Sequence, residues 1–325
     1  MIETAFSSFL SKNVALAKPD ISQGSKSHNY IRSLLTNKHQ TDGQFPSFVD
    51  GDFLSGSYAR GTKIDPLDDI DVMMVIDGRG FHAIRHGRIL DAEVRGGENQ
   101  SVLLSRTGIN GLLSSRLVVD IIHKALTISH PTSTVRKDNQ AINIKLASGI
   151  GVDIVPSFHI VPCDGSQDFY FIPEGGNSDG WITTNPKIDE ATSLKFEKAY
   201  GDKFKDVVRI IKYWNRFFNG DRLRSYHLEV VVWKTFAPFG AVINSYPAAL
   251  RYFFNNALPH LSSQCSDPTS LGDPIDNYLS PQDRQLSIDA LQRTKAVLTV
   301  PFLAAQNVQS ETSQWKKVLG SDFNN

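Results

Sequence analysis

Phe53-Leu-Ser-Gly-Ser-Tyr-Ala-Arg-Gly-Thr62, followed after five residues by Asp68-Asp-Ile-Asp-Val72, is the stretch on which the reading of this chain turns. Val49 to Leu54 predicts a short strand running into a turn at Gly56 and Ser57, and the turn opens a helix. Glycine there lets the backbone approach a ligand closely. The N–H groups of such a turn, at the start of a helix, favour an anion, and the Ser57 hydroxyl adds one more donor. The Gly-Lys-Ser/Thr ending of a Walker loop is missing, so this is another kind of phosphate turn. Gly61-Thr62 then swings the chain toward the acidic segment.

Ile70 to Ile76 predicts a buried strand rich in β-branched residues. Period two puts Asp69 and Asp71 on one face while Ile70 and Val72 point into the core. Two carboxylates side by side repel unless a cation sits between them, and two-metal phosphoryl chemistry needs such a pair. Magnesium suits it best, because it uses few carboxylates and takes further oxygens from a substrate's phosphates; manganese is the alternative. Asp153, in Gly151-Val-Asp-Ile-Val-Pro156, is the candidate third ligand, a charge on an apolar strand that is costly to bury alone. A polar turn at Pro66-Leu-Asp-Asp69 and an edge-strand Asp153 are the ordinary readings of the same residues. Asp68 is expected just before the strand, in solvent.

The bulk composition narrows the class. The chain has 325 residues, a length that suggests about two domains, and 40% hydrophobic residues, enough for packed cores. Lys plus Arg and Asp plus Glu both number 34, so there is no basic excess of the kind that long nucleic acid favours as a standing partner. Two cysteines, Cys163 and Cys265, make neither a zinc pattern nor a disulfide framework, and a reducing cytoplasm is the expected setting. No signal peptide is evident, and no apolar run approaches the roughly 20 residues of a membrane helix.

Helical spacing is predicted from about 20 to 37 and over Ile109–Ile128. Strands are predicted over Gln140–Leu146, Gly151–Ile160 and Asp168–Ile172. Pro173-Glu-Gly-Gly-Asn-Ser-Asp-Gly180 reads as a loop. Beyond it, Phe204, Val207, Val208, Ile211, Trp214 and Phe218 make a helical stripe, with Arg209, Lys212 and Arg216 off it. Ser225 to Phe236 is a second apolar helix. Ser280-Pro281-Gln282-Asp283 is a helix start, with an N-cap serine and proline at the first position. The layout is α+β, with residues 1–185 as a mixed-sheet catalytic core that includes an N-terminal helix, and 186–325 as a helical domain. His123, His130 and His159 have no ligand spacing. Arg79, Arg85, His86 and Arg88 form a small basic loop cluster.

Taken together, the Gly-Ser turn, the Asp69-Ile-Asp71 strand and the later Asp153 resemble the nucleotidyltransferase superfamily of DNA polymerase beta type, most closely the bacterial cGAS/DncV-like nucleotidyltransferases. The resemblance extends to Val207-Val-Arg-Ile-Ile-Lys-Tyr-Trp-Asn215 and Ser225-Tyr-His-Leu-Glu229, and to the segments Trp181–Pro186 and Trp315–Phe323. Asp77 to Gly111 is the least matched part, an insertion or variable loop. The resemblance implies a polymerase beta-like core followed by a helical domain, with the active site in the cleft between them. It implies that Asp69, Asp71 and Asp153 hold two Mg²⁺ and carry catalysis, that Gly56, Ser57, Lys212 and Ser225 contact a triphosphate, and that Tyr226 stacks on a base. The substrates would be ATP or other ribonucleoside triphosphates, and the product a cyclic di- or trinucleotide signal, used against phage and sensed by a downstream effector. Transfer to an RNA end or a protein hydroxyl, and a non-catalytic nucleotide sensor, are the alternatives.

Overall fold

Ile70 and Val72 are sealed from solvent while Asp69 and Asp71, alternating with them, are half-buried, as the pleat imposes on a strand with two unlike faces; from Val72 onward both faces are buried. The computed structural model describes residues 2–49, 51–85, 92–96, 103, 111–299 and 308–323. It opens with helix α1 (Ile2–Phe9), a π-helical turn over Leu10–Val14 and the long helix α2 (Lys18–Thr41). Strand β1 (Phe53–Leu54), the one-turn helix α3 (Gly56–Ala59) and strand β2 (Asp69–Val75) follow. Next come β3 (Phe81–Arg85), β4 (Ala92–Gly96), α4 (Ser115–Ser129), β5 (Thr134–Asp138), β6 (Ala141–Lys145), β7 (Gly151–Ile160), β8 (Phe169–Pro173) and β9 (Trp181–Thr184). The remainder is helical: α5 (Pro186–Tyr200), α6 (Lys203–Phe217), α7 (Ser225–Phe236), α8 (Tyr246–Asn256), α9 (Leu258–Ser262), α10 (Pro281–Thr299) and α11 (Val308–Leu319).

The strands form one mixed sheet in the order β1-β2-β7-β8-β9-β4-β3, with the β5–β6 hairpin attached through β6 to β7. Only the β2–β7 pairing is parallel among the described strands. Its register sets Asp71 beside Asp153 and Asp69 beside Gly151. One face of the sheet buries Ile70, Val72, Ile142, Ile144, Val152 and Ile154 against Ile31 and Leu35 of α2 and Val118, Ile122 and Leu126 of α4. The carboxylates are on the opposite face.

A second core joins α6, α7, α8, α10 and α11, with Trp214, Phe236, Phe253 and Trp315 at its centre. The strand-to-helix change falls at Asn185, between β9 and α5. The N-terminal helix, however, sides with the helical half and not with the sheet. Phe6 packs edge-on against Trp315 and Phe323 at centroid distances of 5.1 and 4.7 Å, and Phe9 meets Tyr213 at 4.9 Å. Aromatic surface on α6 and α11 offers α1 more to bury than the sheet does, so the expected unit 1–185 loses its first fourteen residues to the other core.

Other differences have local causes. The helix expected from Ile109 starts at Ser115, because Ser114 caps it by accepting from Leu117 N–H at 3.1 Å; Ile109 and Asn110 lie outside the described residues. The strand expected from Val49 enters the sheet only at Phe53–Leu54, with Phe48 bridging to Ile76. The described part of Asp77–Gly111 includes the β3–β4 hairpin, and His86 and Arg88 of the basic cluster lie outside it. Strand β5, Thr-Val-Arg-Lys-Asp, is too polar to be read from pattern alone.

His227 gives the helical core a pH dependence. It is buried on α7, with Nδ1 3.0 Å from the Tyr278 hydroxyl. Burial, opposed by Asp276 and aided by Arg284 and Lys234, lowers the imidazole from 6.5 to about 4. Between those values the unfolded chain binds a proton that the folded chain refuses. Stability is therefore retained above about pH 6.5 and lost as the pH falls toward about 4. Carboxylates raised in the folded state, Asp71 and Asp189 to about 6, shift stability the opposite way over this range. The His227 contribution is therefore read as a difference, and in urea melts His227→Gln should gain on wild type as the pH falls from about 7 to about 5.

Candidate active site

Asp71 is where the acidic strand meets the phosphate turn. Burial raises its carboxyl to about 6, with Asp69 and Asp153 adding to the effect and Lys63 and Arg60 opposing it. Asp153 is raised as well, chiefly by burial, although Asn143 on β6 donates Nδ2–H to its Oδ1 at 2.7 Å. Lys63 is the counter-ion on this face. Its ammonium is 2.5 Å from Asp69 Oδ1 and also pairs with Asp68, the most exposed of the group. Burial works against the Lys63 charge, but Asp69 and Asp68 overcome it and hold the ammonium above its usual range.

The turn is built around Asp71. Ser55 N–H donates to the Asp71 carbonyl at 2.9 Å, and Gly56 follows at φ +66°. A Cβ at Gly56 would lie 1.8 Å from Asp71 Oδ2, so glycine is required by space as well as by backbone conformation. Helix α3 has only four residues. An anion at this turn would meet individual N–H groups and the Ser57 hydroxyl, with little help from a macrodipole. The turn closes when Thr62 and Lys63 N–H both donate to the Ser57 carbonyl, at 2.8 and 3.0 Å.

Behind the turn the two halves share a buried charge cluster. Glu229 of α7 is fully enclosed and accepts from Arg60 Nε at 2.8 Å, Arg60 Nη2 at 3.2 Å, Thr62 Oγ1 at 2.9 Å and Lys212 Nζ at 2.5 Å. Burial would raise this carboxyl, yet Lys212 and Arg60 hold it well below the usual range. Lys212, expected off the apolar stripe, is itself buried. Its ammonium also donates to Thr62 O at 3.1 Å and Thr62 Oγ1 at 3.3 Å, which engages all three of its hydrogens. Lys212 thus lines the cavity as a fixed positive charge rather than as a free hydrogen-bond donor.

Gly56, Ser57, Asp69, Asp71, Lys212, Ser225 and Tyr226 line a single cavity of about 420 Å³ between the sheet and the helices. Asp153 is outside the lining, beside Asp71. Ser225 is exposed at the first position of α7. Tyr226 is half-buried, donates its hydroxyl to Asp189 Oδ1 of α5 at 2.6 Å, and lies 5.6 Å beneath the Arg60 guanidinium. Burial raises Asp189 to about 6 against the pull of the Tyr226 hydrogen bond and Arg60. Arg216 and Arg224 add positive charge at the rim.

The donor set fits magnesium. Among the described residues no three Asp, Glu, His or Cys side chains form a ready cage for an ion. Magnesium seldom requires one, since it completes its shell from water and substrate phosphates. Three neighbouring carboxylates, with Asp71 and Asp153 raised by burial and by the charge of Asp69, are an appropriate partial set. Arg60, Lys63, Asn143, Asp189 and Glu229 belong to the same constellation and were given no role from sequence. Two carried a signal: Glu229 interrupts the apolar run Leu228–Val232, and Asn143 stands between Ile142 and Ile144 on a strand.

The chain is similar to several known proteins. The profile of the Second Messenger Oligonucleotide or Dinucleotide Synthetase domain matches residues 1–86, the part that carries the turn and the first two carboxylates. A protein of Bacillus cereus (strain VD146) named "Probable cyclic nucleotide synthase" is 25% identical, across 98% of this chain and 97% of its own length. A cyclic AMP-AMP-AMP synthase of an Acinetobacter species is 23% identical, across 92% and 79%. The solved structure of E. coli MS115-1 CdnC with ATP shares the fold, with a TM-score of 0.72 at 19% identity over 100% of this chain and 99% of that one.

The close approach at Gly56 makes a measurable distinction. Gly61 also has a left-handed φ, of +67°, but a Cβ there would meet nothing nearer than 3.6 Å. Gly56→Ala should therefore lower stability in urea by more than Gly61→Ala, which carries only backbone strain of about 1 kcal/mol. Equal losses would mean that Asp71 does not fill the space above the turn.

Proposed function

We propose that this chain, which belongs to the bacterial cGAS/DncV-like nucleotidyltransferases, joins ribonucleoside triphosphates into a cyclic di- or trinucleotide and releases pyrophosphate. The observation that carries the reading is the convergence of Asp69, Asp71 and Asp153 with the Gly56-Ser57 turn under a cavity whose other wall is Ser225 and Tyr226. Two relatives are named for joining AMP units, which favours ATP as a substrate.

In this reading the triphosphate lies along the turn. It takes hydrogen bonds from backbone N–H groups and the hydroxyls of Ser57 and Ser225, while Lys212 and Arg60 supply fixed positive charge behind it. Tyr226, held by Asp189, offers its ring to a base. Asp69, Asp71 and Asp153 would hold two Mg²⁺, or Mn²⁺. When bound, these ions offset phosphate charge and lower the pKa of the attacking hydroxyl. Asn143 fixes one oxygen of Asp153 and so sets the direction of the other. The acceptor oxygen attacks the α-phosphorus, its proton is lost, and pyrophosphate leaves. The linear product keeps a triphosphate at one end and a free hydroxyl at the other. Once it re-seats, that hydroxyl loses its proton and attacks the α-phosphorus of the remaining triphosphate, the bond to the β-phosphate breaks, a second pyrophosphate leaves, and the ring closes. Positioning carries most of the acceleration.

The setting proposed is the bacterial cytoplasm, with the product read by an effector in defence against phage. Cys163 and Cys265 are both free thiols, as a reducing compartment allows. No helix among the described residues is long and apolar enough to cross a membrane.

Pyrophosphate release from ATP with Mg²⁺ tests the reading. Asp69→Ala/Asp71→Ala should lose at least about 10³-fold in rate, and a chelator should stop the wild type until Mg²⁺ is restored. Equal release by wild type and double variant would refute it.

A further inference from the structure

Glu229 does not line the cavity and has no exposed surface, so it cannot touch a substrate. It is nevertheless connected to each wall of the site. Through Thr62, whose N–H donates to the Ser57 carbonyl at 2.8 Å, it reaches the phosphate turn. The next residue, Lys63, donates its own N–H to the same carbonyl and its ammonium to Asp69. Through Arg60 it reaches the ring of Tyr226, and through Lys212 it reaches α6.

Arg60 and Thr62 come from the sheet half, and Lys212 and Glu229 from the helical half. One carboxylate therefore accepts four hydrogen bonds, three of them crossing from the sheet half and one from α6 within the helical half. An isolated buried ion pair can often be replaced by apolar residues without loss of stability. This one also sets where the reactive groups of one half stand relative to those of the other.

We propose that Glu229 is a positioning residue for nucleotidyl transfer, fastening the Gly56–Thr62 turn to α7 so that Ser57, Asp69 and Asp71 face Ser225 and Tyr226 in one geometry. The inference rests on the triphosphate reading of the cavity. It assigns Lys212 a role through Thr62 and Glu229, with its charge felt by the triphosphate but its hydrogens held elsewhere.

Glu229→Gln keeps the size of the side chain and removes its charge. Pyrophosphate release from ATP is measured with kcat and KM resolved, and kcat is normalised to the stoichiometry of α,β-methylene ATP binding by calorimetry, so that unfolded protein does not count. The expected result is a fall in normalised kcat of about 100-fold, the scale of a 1 Å misplacement, with KM unchanged within about threefold or lower, because removing an anion leaves the cavity more positive. A normalised kcat within about threefold of wild type overturns the proposal. Should Glu229→Gln fail to fold, Thr62→Val is nearly isosteric and removes the hydroxyl that donates to Glu229 and accepts from Lys212, while the Arg60 and Lys212 pairs with Glu229 stay. About a tenfold fall in normalised kcat supports the proposal, and an unchanged kcat overturns it. Absence of pyrophosphate release by the wild type is a separate outcome, which removes the triphosphate reading itself.

Discussion

Three carboxylates on one face of two neighbouring parallel strands repel one another, and the rest of the site is arranged around that repulsion. Burial and the two neighbouring charges push Asp71 toward protonation. Lys63 and Asn143 relieve part of the strain by holding Asp69 and Asp153. Gly56 has no side chain because Asp71 already occupies the space where one would go. A cation brought in with a polyphosphate would relieve the remainder, which on the proposed reading would make this region a better host for a loaded nucleotide than for solvent.

The helical half answers that acidic face with a basic one. Its buried Lys212, joined by Arg60 of the sheet half, does not project freely into the cavity. Lys212 and Arg60 are anchored on Glu229, and Tyr226 is anchored on Asp189. A site preorganised in this way does little rearranging when charge moves during the reaction, the condition under which fixed dipoles and charges accelerate most. The first helix adds to the rigidity of this half, because Phe6 and Phe9 complete its aromatic core from the far end of the sequence. The chain then crosses to the sheet: Val14 O accepts from Asp65 N–H at 2.9 Å, close to the turn.

Much of this was legible in the residues. Asp69 and Asp71 could be placed on one face because a strand has period two and their neighbours are apolar. Asp153 could be placed because a charge inside Val-Asp-Ile-Val requires a partner. Ser280-Pro281 announced α10, which starts at Pro281 with Asp283 N–H on the Ser280 hydroxyl at 3.0 Å. What pattern could not supply was pairing across the chain. Glu229 and Arg60 are 169 positions apart, and nothing local marks either as the other's counter-ion. Lys212 falls off the apolar stripe together with Arg209 and Arg216, and only the packing of α6 on α7 and on the Thr62 turn buries it. The side taken by α1 was hidden for the same reason, since its partners Trp315 and Phe323 come three hundred residues later.

The claim that matters most is that the two halves cooperate to make a closed product. Mass spectrometry of the small molecules formed from ATP and Mg²⁺ after phosphatase treatment tests it directly. The account predicts a phosphatase-resistant species whose mass is a whole number of AMP units less one water each, with no terminal phosphate. Only linear, phosphatase-sensitive oligonucleotides, or no joined nucleotides beside released pyrophosphate, would contradict it.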